Sequence, residues 1–217
     1  MSMDLFESIG TGVRSEPLAP GAMLLRQFAR NRDARLLAEI DSVLQKSPLR
    51  NMITPGGSRM AVQMSNCGAL GWISDRRGYR YATVDPLVGR PWPDLPALLG
   101  GLAAEAAAVA GFPEFIADAC LVNRYEPGMG LSLHQDRDEQ DFGAPIVSVS
   151  LGIPALFLFG GDTRRDKPLA IPLGHGDVVV WGGPSRLRFH GVRPLKPAVH
   201  PLTGPYRFNL TLRKAGR

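Results

Sequence analysis

Residues 145–159 read PIVSVSLGIPALFLF, and this stretch decides the fold class. Ile146 to Leu151 is a run too short for a helix and rich in β-branched residues, Gly152 and Pro154 mark a turn, and Ala155 to Phe159 is a second apolar run. Short apolar runs separated by Gly/Pro turns signal buried, paired strands. The same pattern extends outward in both directions. A strand begins at Ala119, and Asp177 to Trp181 and Tyr206 to Arg213 follow, each bounded by turn residues. Helical spacing is confined to two places. Leu36, Leu37, Ile40, Val43 and Leu44 recur at three- and four-residue intervals, with Asp33 as the expected N-cap and Pro48 beyond the end. Leu95, Leu98, Leu99, Leu102 and Val109 do likewise, with Pro96 in the first turn and Gly111 as the stop, although Gly100 and Gly101 cost that helix about 1 kcal/mol each. Many strands without βαβ alternation predict a mainly β, α+β chain: a β-sandwich or jelly roll buttressed by helices.

Composition limits the alternatives. The 217 residues are 44% hydrophobic and 21% charged, which excludes a disordered, collagen-like or coiled-coil chain and leaves enough apolar material for a core without disulfides. Cys67 and Cys120 have no CxxC spacing, so reduced, buried thiols are expected rather than a zinc knuckle. The apolar stretch from Gly101 to Phe112 is interrupted by Glu105 and too short to span a bilayer, and Met1 to Gly10 carry Asp4 and Glu7 in place of a basic-then-apolar leader. A cytoplasmic protein without a membrane partner is the expectation. The net charge of +5 permits an anionic partner such as nucleic acid without requiring one.

Two constellations carry chemistry. In His134-Gln135-Asp136, residues two apart on a strand would project an imidazole and a carboxylate side by side, two ligands for one metal ion. His190, in the strand-like Arg188-Phe189-His190-Gly191-Val192, is the best-placed third ligand, whereas His175 and His200 read as structural turn residues. Two histidines and a carboxylate leave coordination positions open, as in non-haem Fe(II) oxygenases. An H-x-D pair alone arises easily by chance, so this reading needs support. It comes from Arg207-Phe208-Asn209-Leu210-Thr211-Leu212-Arg213. There, alternation puts two guanidinium groups, an amide and a hydroxyl on one face and an apolar stripe on the other. Such a face is either solvated or built for a small dicarboxylic acid, which two arginine forks suit. Asn123 and Tyr125 alternate likewise and add hydrogen-bonding groups.

Taken in order, His134-x-Asp136, His190 and Arg207-x-Asn209-x-Thr211-x-Arg213 resemble the AlkB family of Fe(II)/2-oxoglutarate-dependent dioxygenases. The resemblance runs from about Glu16 to Gly216 and includes Thr54-Pro55-Gly56-Gly57, Asn66-Cys67-Gly68, Leu70-Gly71-Trp72, Asn123-Arg124-Tyr125, residues 145–152 and residues 176–183. It implies a double-stranded β-helix core carrying Fe(II) on His134, Asp136 and His190. It also implies 2-oxoglutarate held by Asn123, Tyr125, Arg207, Asn209 and Arg213, with O2 as the second co-substrate. Trp72, Tyr79, Asp138 and Arg164, with Met64 and Ser132 nearby, would contact a methylated base under an N-terminal lid. On composition alone Trp72 reads as a core aromatic; the resemblance makes it a stacking platform, with Arg76, Arg77 and Arg80 available to phosphates.

The implied division is a tail over residues 1–15, a helix and nucleotide-recognition lid over 16–94, and a helix plus dioxygenase core over 95–217. The implied function is repair of alkylated single- or double-stranded DNA, with RNA as a second candidate, by oxidative demethylation of bases such as 1-methyladenine and 3-methylcytosine. The protein would work as a monomer. Two competing readings keep the residues and change the role: an oxygenase acting on protein side chains, and a non-catalytic jelly-roll sensor of metal or carboxylate.

Overall fold

A computed structural model describes residues 14–216, so residues 1–13 of the expected tail lie outside the described residues. In chain order, β1 (Ser15–Ala19) and β2 (Ala22–Leu25) form a hairpin before α1 (Asp33–Lys46). Then come β3 (Arg50–Ile53), β4 (Arg59–Gly68), β5 (Gly71–Asp75), β6 (Gly78–Ala82), β7 (Val84–Asp85) and β8 (Arg90–Pro91). α2 (Ala97–Val109) leads into β9 (Ala119–Tyr125), β10 (Leu131–His134), β11 (Ile146–Gly152) and β12 (Ala155–Phe159). The chain closes with β13 (Leu169–Leu173), β14 (Val178–Trp181), β15 (His190–Val192) and β16 (Arg207–Arg213).

Two sheets face one another, as the short apolar runs predict. The larger has the order β1-β2-β14-β11-β16-β9-β4-β3, the smaller β10-β15-β12-β13. The period-two rule sorts β11 between two environments. Val147, Val149 and Leu151 point to a core shared with α1 and α2, while Ile146 faces the second sheet and Ser148 and Ser150 join the polar side chains of β16. The helical core is completed by Leu36, Ile40 and Val43 of α1 and by Leu99, Leu102, Ala103, Ala106 and Ala107 of α2. The core between the sheets holds Phe157, Phe159, Trp181, Tyr125 and Met64. β16 is therefore covered on both sides, and its polar face is internal.

Three expectations change. Asp33 is the first residue of α1 rather than its N-cap: a 3-10 turn runs straight into the helix, and the carboxylate is used by Ala34 N–H and by His175 Nε2 at 2.9 Å. The strands are not confined to the chain from Ala119 onward, since β1 to β4 supply both edges of the large sheet. The alternation of β4 is hidden because polar Ser65 and Asn66 are buried too, satisfied by Ser47 C=O and by the backbone of Trp72. Finally, β10 ends at His134, so His134 and Asp136 do not share one strand face. Asp136 is reached through an irregular segment instead. No helix among the described residues is long and apolar enough to cross a membrane.

Candidate active site

β10 and β15 pair directly, with His134 opposite His190. That register places the two imidazoles 4.4 Å apart between ring centroids. Asp136 closes the group: its Oδ1 lies 3.6 Å from His134 Nε2 and its Oδ2 3.8 Å from His190 Nε2. One ligand atom from each residue lies within 4.8 Å of the others. The tautomers follow from the partners. His134 Nδ1 sits 2.9 Å from Ser132 C=O and His190 Nδ1 3.1 Å from Arg188 C=O, and a carbonyl only accepts, so both Nδ1 atoms carry the proton. Both Nε2 lone pairs then converge on the carboxylate, the arrangement in which outer hydrogen bonds orient metal-binding histidines.

The electrostatics agree. Burial, with His134 adding to it, lowers the His190 pKa to about 4, so its ring is neutral and able to ligate at neutral pH. Burial pushes Asp136 up, but the adjacent Arg213 guanidinium outweighs it and holds the carboxyl well below the usual range. Arg213 Nε and Nη2 both donate to Asp136 Oδ2, Nε at 3.0 Å.

Deeper in the same cavity lies an unmet cation. Arg207 is 1% exposed, and only its Nη2 has a partner, Ser150 Oγ at 2.9 Å. Its Nε and Nη1 are buried with none, and no acidic side chain among the described residues pairs with it. Burial lowers its pKa, and the Tyr125 ring stands 5.1 Å below the guanidinium carbon. Asn123 Oδ1 is also buried without a partner, while Asn209 Nδ2 donates to Ser148 Oγ at 2.8 Å. Buried donors left open are costly, and a bound anion meets them. The dicarboxylate alternative for this strand face therefore has an observation behind it, and the solvated alternative is excluded because the face is internal.

The cavity holds about 530 Å³ and extends from Arg207 past His134, Asp136 and His190 to a mouth formed by Thr54, Met60, Trp72, Tyr79, Arg137 and Arg164. Trp72 and Tyr79, from neighbouring strands of the β5–β6 hairpin, stack with centroids 5.6 Å apart and planes 13° from parallel. Trp72 Nε1 donates to Asp138 Oδ2 at 2.7 Å. Tyr79 is 48% exposed, Ser132 is exposed, and Met64 is buried in the wall. Arg164 lies across Phe189 and donates to Leu133 C=O. Every expected site residue lines this one cavity.

Elsewhere the outcome differs. Arg77 and Arg80 fold back onto Asp75 and close the hairpin turn, which accounts for them locally. His175 accepts from Gly152 N–H at 2.8 Å, bonds Asp33 and stacks on His200, away from the cavity. Cys67 and Cys120 are free, buried and paired in register across β4 and β9. The sequence reading missed Glu139, Arg186 and Tyr81, three buried or largely buried groups behind Asp136. Tyr81 could have been found, since two-residue alternation puts it on the face of Tyr79; nothing local distinguishes Glu139 or Arg186.

Comparison with known proteins points the same way. Residues 21–213 match the model of the 2OG-Fe(II) oxygenase superfamily. The alpha-ketoglutarate-dependent dioxygenase AlkB of Salmonella typhimurium is 58% identical over 200 residues, covering 92% of this chain and 93% of that protein. The human nucleic acid dioxygenase ALKBH1 is 39% identical over 102 residues, 47% of this chain and 26% of that one. Among solved structures, that of OsALKBH1 superposes with a TM-score of 0.82 at 30% identity, over 93% of this chain and 100% of the other.

Proposed function

The chain belongs to the AlkB family of the 2OG-Fe(II) oxygenase superfamily, and on that footing we propose that it oxidatively demethylates nitrogen atoms of nucleic-acid bases. The supporting observation is that one cavity joins a His-Asp-His cluster, a buried arginine with open donors and an aromatic mouth.

The residues fit the cofactors. Two imidazoles and a carboxylate suit a divalent iron, and the open donors of Arg207 suit a carboxylate of 2-oxoglutarate. His134, Asp136 and His190 would hold Fe(II). Arg207 would grip one end of 2-oxoglutarate, with Tyr125, Asn123 and Asn209 orienting it. Arg213, through Asp136, would set the charge at the other end. When bound, iron with 2-oxoglutarate and O2 supplies oxidation of a methyl C–H bond, which side chains cannot perform.

The remaining work belongs to this chain. A methyl group on a ring nitrogen cannot reach a buried centre while its base is stacked, so the base must be extruded or already single-stranded. Trp72 and Tyr79 would receive it, and Asp138 would accept from its amino group and favour the cationic form of 1-methyladenine or 3-methylcytosine. Arg137 and Arg164 stand at the rim for phosphates. The methyl carbon leaves as formaldehyde after hydroxylation, 2-oxoglutarate becomes succinate and CO2, and the base keeps a hydrogen. We assign the lid that grips the base to residues 16–94, through the β5–β6 hairpin, and oxidation to 95–217, which also lends Asp138, Arg137 and Arg164 to the mouth. The working form is a monomer in the cytoplasm acting on single- or double-stranded DNA, with RNA as a second substrate.

The test is a mass assay. Iron-loaded protein with 2-oxoglutarate and O2 is expected to remove 14 mass units, one CH2, from a 1-methyladenine oligonucleotide, an arithmetic consequence of replacing methyl by hydrogen on about one base per strand. Turnover of 2-oxoglutarate that no methylated oligonucleotide stimulates or couples to demethylation would overturn the nucleic-acid substrate. No turnover at all would leave the sensor reading.

A further inference from the structure

Glu139 has no part in the roles above, yet it sits between them. It is 6% exposed and belongs to a buried set of two carboxylates and two guanidinium groups: Asp136, Glu139, Arg186 and Arg213. One carboxylate oxygen, Oε1, accepts the Tyr81 hydroxyl at 2.7 Å and lies 3.3 Å from Arg213 Nε. The other, Oε2, accepts from Arg186 Nη2 at 3.1 Å. Arg213 in turn holds Asp136 Oδ2, and Arg186 Nη1 donates to the Asp136 backbone carbonyl at 2.8 Å. Tyr81 stands opposite Trp72 in the β5–β6 hairpin. One carboxylate thus bonds the base-gripping hairpin on one side and, through two arginines, both the side chain and the backbone of Asp136 on the other.

We propose that Glu139 is a positioning residue that locks the lid hairpin and the metal-ligating Asp136 into one register. The inference rests on the reading of His134, Asp136 and His190 as metal ligands. Its logic is charge balance. With the Glu139 carboxylate in place, Arg213 is shared between two carboxylates and Arg186 has its acidic partner; with an amide there, Arg213 is left to Asp136 alone and Arg186 loses its anion. A buried cation deprived of its partner turns to the nearest remaining anion, so Asp136 is held more tightly away from a metal and the site becomes more positive. The Tyr81 end is different. Its hydroxyl carries no charge, and burial holds it protonated as a donor, so losing it loosens only the hairpin.

The experiment is a split between two affinities. Mn(II) binding to metal-stripped protein is measured by calorimetry, and binding of a 1-methyladenine single strand by fluorescence anisotropy. Wild type should bind one Mn(II), and His134→Ala should not; if wild type fails to bind, or His134→Ala binds equally, the metal reading itself falls. Given that control, Glu139→Gln should weaken Mn(II) by about tenfold or more, the scale of a lost charged partner. Tyr81→Phe should leave Mn(II) within about twofold while weakening the oligonucleotide about threefold or more, the scale of one hydrogen bond. Folded Glu139→Gln with wild-type Mn(II) affinity overturns the proposal. If Glu139→Gln does not fold, Tyr81→Phe decides: the stated split supports the lock, and unchanged oligonucleotide affinity overturns it.

Discussion

Arg207 and Arg213 share a strand, a residue type and a buried face, yet they serve different ends. Arg213 has its anions in place, Asp136 and Glu139, and these neighbours raise its pKa despite burial. Arg207 has a hydroxyl, an aromatic ring and two open donors. The alternation from 207 to 213 made the polar face legible, but not its burial, because the cover comes from a second sheet formed by residues far along the chain. For the same reason the sequence could not divide the two arginines: Asp136 and Glu139 lie some seventy residues away, in an irregular segment. Arg207→Lys tests the assignment, since it keeps the charge and loses the planar fork. A charge-assisted bond to a buried carboxylate is worth about 1.5–3 kcal/mol, so 2-oxoglutarate affinity by calorimetry should fall tenfold or more. Binding within twofold of wild type would remove Arg207 from the acid site.

At the scale of elements, the β5–β6 hairpin shows what a motif can and cannot reveal. The Gly78 turn and the flanking aromatics are visible in the sequence, but the hairpin's fixing is not. The Trp72 backbone is gripped by Asn66, whose Oδ1 accepts from Trp72 N–H at 2.9 Å and whose Nδ2 donates to its carbonyl at 3.0 Å. The indole is therefore free of the duty of holding the strand, and it is only half-buried, with its N–H on Asp138. Part of the ring packs against the core between the sheets, and the rest lines the mouth of the cavity. The strand face drawn through His134 and Asp136 is not formed. β10 is only four residues long, and pairing with β15 ends at the His134–His190 rung. Base–aromatic stacking is worth about 1–3 kcal/mol, so Trp72→Ala should weaken methylated oligonucleotide about fivefold or more. Because the Asn66 bonds are to backbone, the variant should keep its melting midpoint within a few degrees and its Mn(II) affinity. An unfolded Trp72→Ala protein would return the residue to the core.

Across the whole molecule, α1 is fastened at both ends by carboxylates, which tie its start through His175 to the end of β11 and its end to β3 and β7. At its start Asp33 bonds His175, which in turn receives Gly152 N–H from the end of β11. Just beyond its end Ser47 donates to Asp85, which also takes two bonds from Arg50 of β3 and the Leu87 N–H. Burial pushes Asp85 up, but the bonds from Arg50, Ser47 and Leu87 outweigh it, so its pKa is lowered. Asp33 moves the same way: burial pushes it up, and His175 and the Ala34 N–H more than compensate. An unfolded Asp titrates near about 3.9. Below that value, and down to the lowered native one, the unfolded chain binds the proton and the native chain does not, so stability falls as pH falls. Above about pH 5 the contribution is complete and these two groups add no slope. Asp85→Asn leaves Arg50, itself largely buried, without its anion, which costs about 3 kcal/mol for a broken buried pair. In a chain of this length that corresponds to a melting midpoint lower by roughly 6–12 °C at pH 7. The gap between variant and wild type should then narrow as both are melted at successively lower pH beneath 4, because acid removes the same charge from wild type. A gap that stays constant from pH 7 to pH 3 would show that the Asp85 charge does not fasten the end of α1 and β3 to β7.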